Sequence, residues 1–220
     1  MWSLKREWQD IKFVTIHHSA VERPYSNLPL EATTFDRWHS QKTWAADYKT
    51  GGEKGFRYIS YHYIVNQKGE HLHVQNLEYK RAHATDSARG ELSHNEWGIA
   101  ICMSGNFQTQ KPTEAQVKKV ATLIYLLEQP ERLGKSLIVR GHNETALKPT
   151  ACPGKNLGNH KRGVIRDIID MVNKWHEEGY PEEVDYKMLY EETKEELDKY
   201  KQEEAIQKAE VEKLLTMFRS

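Results

Sequence analysis

The chain has 220 residues, 32 basic and 32 acidic, with 38% hydrophobic content, enough for one substantial core with something appended. No apolar run approaches the length of a membrane span, no basic stripe with interleaved aromatics marks a nucleic-acid surface, and Met1-Trp2-Ser3-Leu4-Lys5 opens no export signal. The zero net charge is uneven: twelve acidic and seven basic residues put residues 181–220 at −5 and leave the first 180 at +5, a balance suited to an anionic polymer.

In chain order, residues 11–16 read as a strand, apolar on both faces and therefore central in a sheet. Residues 30–44 predict a helix, with Phe35 and Trp38 on one face, and residues 45–57, with three glycines, a loop. Residues 58–65 and 71–75, joined by Asn66-Gln67-Lys68-Gly69, predict a hairpin with Gly69 at the positive-φ position. Residues 98–103 form another buried strand. Thr113 and Gln116 make a capping box, and Val117, Val120, Ile124 and Leu127 follow at helical spacing until Pro130. After the apolar run 137–139, Val164, Ile168, Val172 and Trp175 mark one face of a last helix. This alternation predicts an α/β domain, a central mixed sheet flanked by helices, over residues 1–178.

Chemistry concentrates in Gly141-His142-Asn143-Glu144-Thr145 and Pro149-Thr150-Ala151-Cys152-Pro153-Gly154. A His and a Cys ten residues apart, just past an apolar run, supply two zinc donors. Thr15-Ile16-His17-His18-Ser19, ending the first strand, offers a third, from either of two histidines that point to opposite sides. Three protein donors leave the fourth tetrahedral position open for water, as catalytic rather than structural zinc requires. Cys152 as a thiolate ligand leaves Cys102, in a buried strand, without a disulfide partner. His71 and His73 share a strand face but lack a further donor for a second metal. His39, His94, His160 and His176 are expected at the surface.

The His17 segment, the block Ser60-Tyr61-His62-Tyr63-Ile64-Val65, and His142 followed by Cys152-Pro153-Gly154 stand in the order and approximate spacing of the zinc-dependent N-acetylmuramoyl-L-alanine amidases. Over residues 10–176 the chain resembles that family, particularly its phage endolysin branch, which shares a fold with the peptidoglycan recognition proteins. The resemblance implies one zinc ion held by His17, His142 and Cys152, and hydrolysis of the bond joining N-acetylmuramic acid to L-alanine in bacterial peptidoglycan. It implies that Tyr61 faces the zinc and donates to the oxyanion, and that His83 and Asn95 line the substrate groove. Thr150 stands where many relatives place Lys; its hydroxyl can donate but has no accessible pKa for acid catalysis, and Lys148 is the other candidate. The loop over 45–57 is longer than in those amidases, an insertion expected near the site mouth. A non-catalytic peptidoglycan-binding module and a cytosolic amidase acting on recycled muropeptides are the other readings. With no export signal, the expected course is synthesis in the host cytoplasm and action on the wall after release.

Residues 179–220 fall outside the resemblance. Tyr190, Thr193, Leu197, Tyr200, Glu204, Gln207, Val211, Leu214 and Phe218 follow the 3-4 spacing of a heptad seam. A single charged helix of that length is marginal alone in water. The expectation is a helical tail, hinged at Gly179-Tyr180-Pro181, that self-associates or docks on the domain before it.

Overall fold

A computed structural model describes residues 5–23, 27–43, 56–84 and 93–181. Most of the loop expected over 45–57, and the helix expected in the tail beyond residue 181, lie outside these residues. Five strands, β1 (Phe13–His18), β2 (Tyr63–Val65), β3 (His71–His73), β4 (Gly98–Met103) and β5 (Ile138–Gly141), form one sheet in the order β3-β2-β4-β1-β5. β1 runs parallel to both β4 and β5, and β2 runs parallel to β4; only β2 and β3 are antiparallel. All six residues of β1 and of β4 are buried, as expected of strands whose apolar runs leave no polar face for water.

Helix α1 (Leu28–Ser40) begins where the Asn27 side chain accepts from the Leu30 amide at 3.0 Å, with Pro29 in its first turn. This start precedes the expected one because the cap and the proline lie before the apolar periodicity. Leu28, Ala32 and Phe35 pack with Ile59, Ile64, Val74 and Cys102, fixing α1 against one face of the sheet. The short α2 (His94–Trp97) leads directly into β4. Helix α3 (Glu114–Glu128) opens with the expected Thr113/Gln116 capping box and packs on α5 (Val164–Glu178), where Tyr125 meets Trp175 edge-on. Residues Met1–Glu178 form one compact unit. Among the described residues no helix is long and apolar enough to cross a membrane.

The hairpin is shorter than its sequence pattern. The amides of Tyr58 and Ile59 donate to Asp36 Oδ1 at 2.6 and 2.9 Å, and that of Ser60 to His39 Nδ1 at 3.0 Å. Residues 58–60 are thus strapped to α1 by side chains instead of entering the strand ladder. His94, expected at the surface, is fully buried: Thr15 Oγ1 lies 2.8 Å from its Nδ1 and Phe13 stacks on its ring at 4.2 Å.

Candidate active site

Parallel pairing of β1 with β5 brings the first two donors together. Ile16 lies opposite Gly141, so the next residues, His17 and His142, emerge side by side at the carboxyl ends of adjacent strands, where open α/β sheets place their ligand crevices. His142 opens the short helix α4 (His142–Thr145), and the His17 and His142 ring centroids are 4.6 Å apart. The loop after α4 returns Cys152 to the same point. One donor atom each from His17, His142 and Cys152 falls within 4.8 Å of the others, the only such group among the described residues. His18 is not in it: its Nδ1 accepts from the Phe107 amide at 3.1 Å.

Several contacts hold this geometry. Glu144 accepts from the amides of Gly141 at 2.8 Å and His160 at 3.1 Å, and pairs with the His160 ring. The Thr150 hydroxyl accepts from the Cys152 amide at 3.2 Å, and Gln108 Nε2 donates to the Ala151 carbonyl at 2.6 Å. Gly154, at φ +102°, packs so closely on Phe107 that a Cβ would stand 2.5 Å from the Phe107 carbonyl carbon. The His18 amide donates to Cys152 Sγ at 3.4 Å, a contact that favours the thiolate.

The donor set fits a zinc ion. His17 Nδ1 is 3.7 Å from Cys152 Sγ, close to the donor separation of about 3.3–3.8 Å across a tetrahedral site with bonds of about 2.0–2.3 Å. His142 Nδ1 is buried with no hydrogen-bond partner, a cost that a metal bond would remove. Burial, then the neighbouring His142 and His83, hold the His17 pKa well below its ordinary value; burial lowers that of His142 to about 4. Burial also pushes the Cys152 thiol up to about 12, against the His18 amide. Metal-free, the cluster is two neutral imidazoles and a thiol, uncharged and ready for a cation. Cys102 and Cys152 are both free, as expected.

Tyr61 stands beside this cluster, its ring 5.3 Å from His17 and edge-on to Phe35 and His39 at 5.6 and 5.3 Å. Burial first, then Cys102 and Cys152, raise the phenol pKa well above its usual value, so the hydroxyl remains a donor. Thr150 is partly buried, and its hydroxyl proton is left for another acceptor. Lys148 is exposed. His62 is fully buried, with Nδ1 accepting from the Ala100 amide and Nε2 donating to the Tyr79 carbonyl.

His83 and Asn95, expected in a substrate groove, are instead buried supports. His83 Nδ1 faces His17 Nε2 at 3.2 Å and its Nε2 lies 2.9 Å from the His94 carbonyl, so neither ring nitrogen is left for a sugar or peptide. Asn95 Oδ1 accepts the His83 and Ala84 amides at 2.9 and 2.8 Å. His39, expected at the surface, holds Ser60 and packs on Tyr61. The available signal was its place one helical turn after Phe35, on the buried face of α1.

A family model described as N-acetylmuramoyl-L-alanine amidase matches residues 7–155. No curated protein matches the chain. Among solved structures, the N-acetylmuramoyl-L-alanine amidase LysC from Clostridium intestinale URNW superposes with a TM-score of 0.53 at 17% identity, covering 79% of this chain and 94% of that one. Drosophila PGRP-LB gives 0.50 at 17% identity over 80% and 85%. A peptidoglycan recognition protein LCa and LCx complex with tracheal cytotoxin gives 0.50 at 25% identity over 66% and 77%. At 17% identity the first two likenesses are of fold.

Proposed function

Because this chain belongs to the N-acetylmuramoyl-L-alanine amidase family, we propose that it is a zinc-dependent enzyme that cleaves the amide between the lactyl carboxyl of N-acetylmuramic acid and L-alanine in peptidoglycan. The observation that carries this reading is the meeting of one donor atom each from His17, His142 and Cys152, with the Nδ1 of His142 buried and partnerless. These three residues would hold the ion, and zinc bound there would lower the pKa of a water to about 7 and polarise the carbonyl under attack. Tyr61, kept protonated by burial, donates to the carbonyl oxygen as negative charge develops on it. The Thr150 hydroxyl can add a second donor, its lone pair being engaged by the Cys152 amide. Lys148, exposed on the same loop, is the other candidate. Cleavage leaves a muramic carboxylate and a free L-alanine amine.

A complete donor set argues against a non-catalytic recognition module, which needs no such cluster. The basic balance of the first 180 residues supports action on intact walls as a lytic enzyme. Turnover on walls compared with soluble muropeptides tests that choice against a recycling role. His17→Ala, His142→Ala and Cys152→Ala should each lose most zinc and nearly all activity, whereas His18→Ala should keep the metal. Digestion should release L-alanine amino termini without new reducing ends; new reducing ends would overturn the assignment.

A further inference from the structure

We propose that His83 is a positioning residue that locks His17 in the tautomer and ring orientation needed to bind metal, a role resting on the zinc centre proposed above. The His94 carbonyl has no hydrogen to give, so His83 Nε2, 2.9 Å away, must carry one. A neutral imidazole has one N–H, which leaves His83 Nδ1 as a bare lone pair. That lone pair faces His17 Nε2 at 3.2 Å, and a hydrogen bond forms there only if His17 carries its hydrogen on Nε2. His17 Nδ1 is then the free lone pair, and it is the atom 3.7 Å from Cys152 Sγ.

The anchor of this relay is fixed from several sides. Asn95 Oδ1 holds the His83 and Ala84 amides, and the Asn95 carbonyl accepts from the Arg81 amide at 3.2 Å. The His94 ring is tied to Thr15, two residues before His17 and on the same face of β1. A Cβ on Gly98 would lie 2.5 Å from the His94 carbonyl oxygen, so the glycine leaves that acceptor its place. Strand, helix and relay close a ring that begins and ends on β1. Partners of this kind orient metal-binding imidazoles, and their loss typically weakens metal affinity about 10–100-fold.

The test compares wild type, His83→Phe and His83→Asn. Phe removes the acceptor, whereas Asn keeps an oxygen near the place of Nδ1. Long-range ¹H–¹⁵N spectra of the metal-free proteins should show His17 protonated at Nε2 in wild type and His83→Asn, and a mixture of tautomers in His83→Phe. Chelator competition should show zinc dissociation constants raised about 10–100-fold in His83→Phe and largely restored in His83→Asn. A folded His83→Phe with unchanged His17 tautomer and zinc affinity would overturn the role. So would His83→Asn binding zinc as poorly as His83→Phe. Should His83→Phe fail to fold, the wild-type spectrum decides: a hydrogen on His17 Nδ1 in protein that binds zinc refutes the relay alone. Wild type that takes up no zinc removes the metal centre itself.

Discussion

Zinc uptake by the metal-free protein at pH 6 should release one proton per ion. Burial lowers His142 to about 4 and His17 well below its ordinary value, so both rings are already neutral at that pH. Cys152, raised to about 12, still holds its hydrogen and must give it up to ligate as thiolate. The sign follows from the direction of that shift: a thiol protonated throughout the assay range makes affinity rise with pH, tenfold or about 1.4 kcal/mol per unit. At pH 6, about one unit below the pKa of a water on catalytic zinc, only about a tenth of that water is ionised, so the count reports mainly the donors. An unstructured chain offering the same two histidines and cysteine would release roughly two and a half protons at pH 6, because each imidazole would be about three-quarters protonated. Titration calorimetry in two buffers of different ionisation enthalpy counts the protons. A count near zero would mean a preformed thiolate, and one near two and a half would mean exposed rings; either refutes the buried neutral cluster.

Tyr61→Phe should keep fold and zinc while lowering turnover about 10²–10³-fold, the usual cost of an oxyanion donor; wild-type turnover would make Tyr61 a packing residue only. Glu31, fully buried and bonded to Ser104, has its carboxyl raised by burial to about 6, so above that pH its ionised form costs about 2 kcal/mol of stability. Glu31→Gln should therefore exceed wild type in urea denaturation at pH 7–8, with the gap closing as pH falls from 6 towards 4.5; an equal gap at pH 4 would contradict this. Gly154→Ala should destabilise by more than the 1–3 kcal/mol (on the order of) of backbone strain alone, and weaken zinc binding, because neither its φ nor the Phe107 backbone can yield; melting and chelator titration read both effects. Removing residues 182–220 should leave zinc content and muropeptide turnover intact and lower the number of chains per particle in light scattering; an unchanged number would remove the expected self-association.

The parts of the fold legible in the sequence were those written in apolar periodicity and caps. The run through Val14 and Ile16 announced a strand buried on both faces, and Thr113 with Gln116 announced the start of α3. Of the site, the donor residue types and their positions after strands could be read, but choosing His17 over His18 required the family register. Polar residues in the core were opaque. His94 is buried because Thr15 lies within hydrogen-bond reach of its ring, and half-buried His39 is held because the Ser60 amide needs an acceptor. Neither partner is near in sequence; for His39 alone, helical spacing from Phe35 points to the inner face of α1. The place of His83 is hidden for the same reason, since its neighbours on both sides, His17 and the His94 carbonyl, come from other elements.

The pairing of β1 bears on how the chain is made. Leaving the ribosome, Phe13–His18 precedes both of its parallel partners, since Gly98–Met103 and Ile138–Gly141 must still be synthesised. During that interval a strand destined for full burial has two open edges, the condition under which nascent chains pair with the wrong neighbour. Non-local parallel pairing of this kind is also slow to form. A nascent chain halted before β5 should thus be a substrate for chaperones rather than a partial enzyme. Hydrolytic capacity would arrive late and all at once, when Cys152 joins two histidines that the completed sheet has already brought together.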